Sequence, residues 1–127
     1  MANILCVDDD PTVVALKKKI LEDEGHFVVT CLTAQDAIRK LSQTTFDAVV
    51  TDWRIGLDRG RAIVAEAKAY TSVPVVVVSG YMAEAFQAAE PLADLYLEKP
   101  VDPRELVEVL KTLLKSKPSQ EDGPSQG

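Results

Sequence analysis

Short apolar runs alternate with longer amphipathic stretches along most of the chain. Asn3–Val7, Phe27–Cys31, Phe46–Thr51, Val75–Val78 and Leu95–Leu97 are brief and mostly apolar, with many β-branched residues, and they predict five buried strands. Val75–Val78 is an unbroken run of valines, which predicts a central position in the sheet. Between these runs the apolar residues recur at helical spacing. Val13, Leu16, Ile20 and Leu21 predict a first helix ending near Glu24. Asp10 stands as its cap, Pro11 at its first position and Gly25 as its stop. Thr33 caps a second helix carrying Ala37, Ile38 and Leu41, and a loop with Gly56 and Gly60 leads to a third bearing Ile63, Val64 and Ala67. A small-residue helix is expected over Ala83–Ala89. Asp102, Pro103 and Glu105 open the last helix, whose inner face reads Leu106, Val107, Leu110, Leu113 and Leu114. Strands alternating with helices predict the α/β class, a five-stranded parallel sheet covered on both faces. Right-handed crossovers make it a three-layer α/β/α sandwich.

Composition narrows the class without changing that picture. A chain of 127 residues makes one domain, placed at residues 1–116. Residues 117–127 are Ser, Pro, Gln, Gly and acid, the composition of a disordered tail or the start of a linker. With 46% hydrophobic and 27% charged residues, the chain has a soluble globular balance. A net charge of −6 argues against the chain itself holding nucleic acid or an anionic membrane surface. No apolar stretch reaches membrane-spanning length, and the first residues enter a strand with no secretory leader, so a cytoplasmic location is expected. Cys6 and Cys31 are expected as buried free thiols, and His26 as a surface histidine.

The candidate chemistry lies at the strand ends. In an open α/β sheet, binding groups gather at the carboxyl ends of the strands. The first predicted strand ends in Asp8-Asp9-Asp10, the third in Asp52, the fourth in Ser79-Gly80 and the fifth in Glu98-Lys99-Pro100. The acidic run alone divides evenly between a solvated turn and a cation site. Joined with the other ends, it places carboxylates, a hydroxyl and an ammonium on one edge. Carboxylates, waters and a carbonyl suit Mg²⁺, and a lysine suits a phosphoryl oxygen. Such a set equips a carboxylate to attack phosphorus and form an acyl phosphate.

Val-Asp-Asp at the first strand, Thr-Asp-Trp at the third, Val-Ser-Gly at the fourth and Lys-Pro after the fifth resemble a response-regulator receiver domain. The resemblance spans about residues 2–115. It implies the flavodoxin-like strand order 2-1-3-4-5 for the five predicted strands. It also implies that Asp52 is the phosphoacceptor and that Asp8, Asp9, Asp52 and the Arg54 backbone carbonyl hold Mg²⁺. Ser79 then corresponds to the hydroxyl that turns toward the phosphoryl group, Tyr96 to the aromatic switch and Lys99 to the phosphate contact, commonly with a cis bond to Pro100. The implied partners are a sensor histidine kinase or a phosphotransfer protein. The switched surface is the one around the fourth predicted helix, the fifth strand and the last helix, which family members often use for dimers or output. The exposed residues of the last helix are expected to be Arg104, Glu108, Lys111 and Lys115. With no output domain in the sequence, the chain reads either as a stand-alone regulator or as a receiver from a longer protein.

Two features depart from the family pattern. Ile55-Gly56 replaces the usual hydrophobic-Pro pair, which widens the conformations open to the loop that carries the metal carbonyl. Arg54 and Tyr81 occupy the variable positions flanking the site, and Arg54 either folds over the pocket, slowing hydrolysis of the acyl phosphate, or points to solvent. Trp53 is expected to pack on the loop beside Asp52 and to report on metal binding. Two other readings use the same residues. Asp8-Asp9-Asp10-Pro11-Thr12 also resembles the Asp-x-Asp-x-Thr motif of haloacid-dehalogenase-type phosphatases, with Asp8 as nucleophile and Asp10 as general acid. A pseudo-receiver would be an interaction module without phosphorylation; the presence of Asp52, the acidic pair and Lys99 argues against it.

Overall fold

The computed structural model describes residues 2–55, 58–70, 73–80 and 93–115. The elements are β1 (Asn3–Val7), α1 (Pro11–Glu22), β2 (Phe27–Cys31), α2 (Ala34–Gln43), β3 (Ala48–Asp52), β4 (Arg54–Ile55), β5 (Asp58–Arg59), α3 (Gly60–Tyr70), β6 (Val75–Ser79), β7 (Leu95–Glu98) and α4 (Pro103–Lys115). The main sheet has the order β2-β1-β3-β6-β7, and every neighbouring pair in it is parallel. Counted along the chain, its five strands run 2-1-3-4-5, as the resemblance implies. The interior strands β3 and β6 are buried at every position, which is why their sequences show no polar alternation.

Alternate residues of each strand feed two cores. Leu5, Val7, Val49, Val75 and Val77 pack with Ala37 of α2 and Ile63, Val64 and Ala67 of α3. Ile4, Cys6, Val50, Val76 and Val78 pack with Val14 and Leu21 of α1 and Leu106 and Leu110 of α4. Helices thus cover both faces, and the carboxyl ends of β1, β3, β6 and β7 share one edge. Cys6 and Cys31 are buried and unbridged, and burial pushes the Cys6 thiol up to about 12, leaving it chemically inert.

The sequence-based elements need several corrections. The buried stripe of α1 is Val14, Lys17 and Leu21, while Leu16 is 58% exposed and Val13 and Ile20 are half-buried. In α4, Val109 rather than Val107 joins the core, completing an i, i+3, i+4, i+7, i+8 stripe with Leu106, Leu110, Leu113 and Leu114. Arg104, Glu108, Lys111 and Lys115 face out. The stretch after Asp52 contains a short antiparallel hairpin, with Arg54 opposite Arg59 and Ile55 opposite Asp58. The expected helix at Ala83–Ala89, Tyr81, Gly56 and the 117–127 tail lie outside the described residues.

His26 is not a free surface histidine. It is half-buried, and its Nδ1 accepts a hydrogen bond from the Ala2 backbone at 3.2 Å. Burial and the positive chain terminus hold its pKa below the ordinary value of 6.5. The folded state therefore favours neutral His26, and its contribution to stability is lost as pH falls from 6.5 through the lowered folded value.

Asp10 is the helix cap the sequence predicts. Its extended backbone (ψ 111) turns Oδ1 onto the N–H groups of Thr12 at 2.9 Å and Val13 at 3.4 Å. Asp10→Ala is expected to lower the unfolding free energy by about 1 kcal/mol, read as a shift in the denaturant midpoint at unchanged slope.

Candidate functional site

The acidic pair follows β1. Asp8 is 2% exposed, and its backbone N–H donates to the Cys31 carbonyl at 3.2 Å. Its Oδ1 accepts from the Asp10 backbone at 3.0 Å, so the same short turn shapes the site and starts α1. Asp9 is exposed at the mouth. Asp52 ends β3, opposite Val78 of β6, and is 6% exposed. One carboxylate oxygen from each of Asp8, Asp9 and Asp52 falls within 4.8 Å of the others. That spacing suits oxygen ligands converging on one hard cation, so the residues present fit Mg²⁺.

Lys99 lies just past β7. Its Nζ stands 3.0 Å from each oxygen of Asp52, and its backbone N–H donates to the Ser79 carbonyl at 2.9 Å. The Lys99–Pro100 bond is cis. Ser79 ends β6, 1% exposed, one register step beyond the level of Asp52. Tyr96 pairs with Val77 and packs, half-buried, against the α2/α3 core. Arg54 opens β4 two residues after Asp52, and its side chain lies outside the described residues.

Two residues differ from the sequence reading. Trp53 is 1% exposed and belongs to the α2/α3 core, not to the surface of the loop. Its backbone N–H donates both to Asp52 Oδ1 at 3.1 Å and to the Val78 carbonyl at 2.9 Å, tying the indole's position to the carboxylate. Lys17, on α1, is 8% exposed and reaches Asp8 Oδ2 at 3.4 Å. Sequence patterning overlooks it because a lysine is not counted toward an apolar stripe. The signal was its position three residues after Val14 and four before Leu21.

Burial is the strongest influence on Asp52 and raises its pKa above 3.8; the hydrogen bond and charge of Lys99 oppose the shift, Asp8 adds to it and Lys17 opposes it. The folded state therefore binds a proton at Asp52 more readily than the unfolded chain does. As pH falls from neutrality through the raised value toward 3.8, this site should cost the fold less. A gap in stability between wild type and Asp52→Asn should accordingly narrow toward pH 4, as measured by urea denaturation at a series of pH values.

The family model described as response regulator receiver domain matches residues 4–111. The chain belongs to the response-regulator receiver family. It is 31% identical over 116 residues to the transcriptional regulatory protein GlrR of Escherichia coli K12, covering 89% of this chain and 26% of that protein. It is 34% identical over 106 residues to the alginate biosynthesis transcriptional regulatory protein AlgB of Pseudomonas aeruginosa, covering 81% and 24%. The receiver thus spans about a quarter of the length of these relatives. Among solved structures, a receiver domain protein from Clostridium thermocellum superposes with a TM-score of 0.82 at 27% identity, covering 91% of this chain and 95% of that one. The response regulator TrrA of Thermotoga maritima, solved in complex with Mg²⁺-BeF, gives 0.81 at 27% identity over 89% and 99%. As a receiver, the chain accepts a phosphoryl group and switches state. Among the described residues, no helix is long and apolar enough to cross a membrane.

Proposed function

We propose that Asp52 is the phosphoacceptor, with Mg²⁺ held by Asp8, Asp9, Asp52 and the Arg54 carbonyl, and with a histidine kinase or phosphotransfer protein as donor. The observation that carries this reading is the buried Asp52 carboxylate with Lys99 Nζ 3.0 Å from both of its oxygens, beside two further carboxylates. An Asp52 oxygen attacks phosphorus, the bond from phosphorus to the donor imidazole breaks, and the imidazole leaves. Bound Mg²⁺ supplies positive charge against the phosphoryl oxygens. Lys99 orients Asp52 beforehand and then offsets charge on the transferred group. Ser79 donates its hydroxyl to a phosphoryl oxygen, and Tyr96 follows it inward, biasing a pre-existing equilibrium of the surface around β7 and α4. The folded receiver is residues 1–116, its setting is cytoplasmic, and output passes to a partner or to a further domain.

The phosphatase reading loses support from the same geometry. Asp8 has one oxygen on the Asp10 backbone and the other near Lys17, while the Asp10 carboxylate is spent on capping α1. Acyl-phosphate formation from a small phosphodonor such as acetyl phosphate tests the proposal. Label should accumulate with Mg²⁺ and be lost on chelation; accumulation indifferent to Mg²⁺ would refute the assigned metal set. Because the Trp53 backbone N–H is bonded to Asp52, with the indole packed just behind, tryptophan fluorescence should change saturably as Mg²⁺ is titrated.

A further inference from the structure

Three carboxylates and two ammonium groups meet at this edge, so the pocket carries a net charge of about −1 before any metal arrives. Lys99 is 40% exposed along its side chain, as expected of a group that must meet an incoming phosphoryl. Lys17 is different. Its side chain is only 10% exposed, it rises from the buried stripe of α1, and its ammonium faces Asp8, itself a member of the carboxylate cluster. A lysine is seldom buried without a partner, and here the partner is a carboxylate that the metal also needs. The contact, at 3.4 Å, is long for a charge-assisted hydrogen bond. It is an ion pair rather than a short, tight hydrogen bond. There is also somewhere for the lysine to go. Its stem lines an open groove of about 420 Å³ between α1 and the start of α4, walled by Val13, Leu16, Ile20, Val101 and Leu106. The alkyl chain can lie along that apolar wall while the ammonium reaches water.

We propose that Lys17 is a tethered counter-cation that occupies Asp8 when the metal is absent, must yield when Mg²⁺ binds, and so sets the metal affinity of this receiver to a weaker value. It is a positioning residue, acting on the reaction through Asp8. Two physical consequences follow. In the metal-free protein, Lys17 holds the Asp8 carboxylate in place, so the pocket does not have to be rebuilt when the metal arrives. In the metal-bound protein the ammonium, displaced from Asp8 yet still tethered to α1, stays near the dication and repels it. Under nearly aqueous screening, such repulsion across one carboxylate corresponds to roughly tenfold in binding.

The inference rests on the proposed Mg²⁺ site, and one set of titrations separates the two. Mg²⁺ affinity is measured by Trp53 fluorescence and by calorimetry on wild type, Lys17→Met, Lys17→Gln, Lys17→Arg and Asp8→Asn. Met conserves much of the volume, Gln can still donate to Asp8, and Arg keeps the charge. Lys17→Met and Lys17→Gln should bind Mg²⁺ about tenfold more tightly than wild type, and Lys17→Arg should stay within about twofold of it. Asp8→Asn should bind far more weakly. Should Lys17→Met misfold by leaving Asp8 without a partner, the Gln variant carries the comparison. If wild type and Asp8→Asn differ as expected but neutral residues at position 17 leave affinity unchanged or weaker, the role of Lys17 is overturned while the metal site stands. If wild type shows no saturable Mg²⁺ binding, both are overturned.

Discussion

Asp52→Asn should abolish acyl-phosphate formation and at the same time make the metal-free protein more stable. Both effects come from the same placement. The carboxylate is 6% exposed and has two other carboxylates nearby, and burial raises its pKa despite the adjoining Lys99. A group held in its less favoured charged form costs the fold free energy at neutral pH. Asparagine keeps the shape and removes the charge. Lys99, being 40% exposed, can turn to water when its partner is neutralised. The expected gain is on the order of 1 kcal/mol, or about 4 °C in Tm. Phosphorylation should fall to background, since an amide cannot form the acyl phosphate. Thermal melting and phosphodonor labelling on one preparation read both effects, and a destabilised Asp52→Asn would contradict the strain argument.

Lys99→Met should slow phosphorylation by roughly 10²-fold or more, the usual cost of removing one preorganised group that offsets developing charge. In the resting state Nζ lies 3.0 Å from both oxygens of Asp52, so it is already placed where a transferred phosphoryl would sit. Removing it takes away the largest influence opposing protonation of Asp52, whose pKa should rise further. The variant should therefore lose more activity at mildly acidic pH than at alkaline pH, because the nucleophile must be ionised. Rates measured from pH 5.5 to 8.5 with a small phosphodonor check this. A uniform loss across that range would show that Lys99 does not act by keeping Asp52 ionised at these pH values.

Much of this site is legible in the sequence because its parts sit at strand ends, where an apolar run breaks into chemistry. Asp8, Asp9, Asp52, Ser79 and Lys99 are each found that way, and their convergence follows from parallel strands pointing the same direction. Asp10 as a cap is legible from an Asp directly before Pro11. What escapes is whatever depends on helix rotation. The apolar letters of α1 favour Val13, Leu16, Ile20 and Leu21, yet the helix turns Val14 and Lys17 inward with Leu21 and leaves Leu16 exposed. A lysine with a carboxylate at the end of its reach can occupy a core stripe, and hydropathy does not record reach. Trp53 escapes for a related reason. It directly follows an acid at a strand end and so reads as loop, but β3 carries its alternation one residue further and places the indole in the core with Val49 and Val77. The hairpin of β4 and β5 is too short to leave a periodic signal.

Asp52 is proposed as the nucleophile, with Asp8 reserved for the metal. The most direct measurement is to phosphorylate wild-type protein with acetyl phosphate and Mg²⁺, trap the acyl phosphate by borohydride reduction to homoserine, and locate the reduced residue by peptide mass spectrometry. Reduction is expected at Asp52 and not at Asp8; reduction at Asp8, or equal labelling of Asp52→Asn and wild type, would overturn the assignment of Asp52.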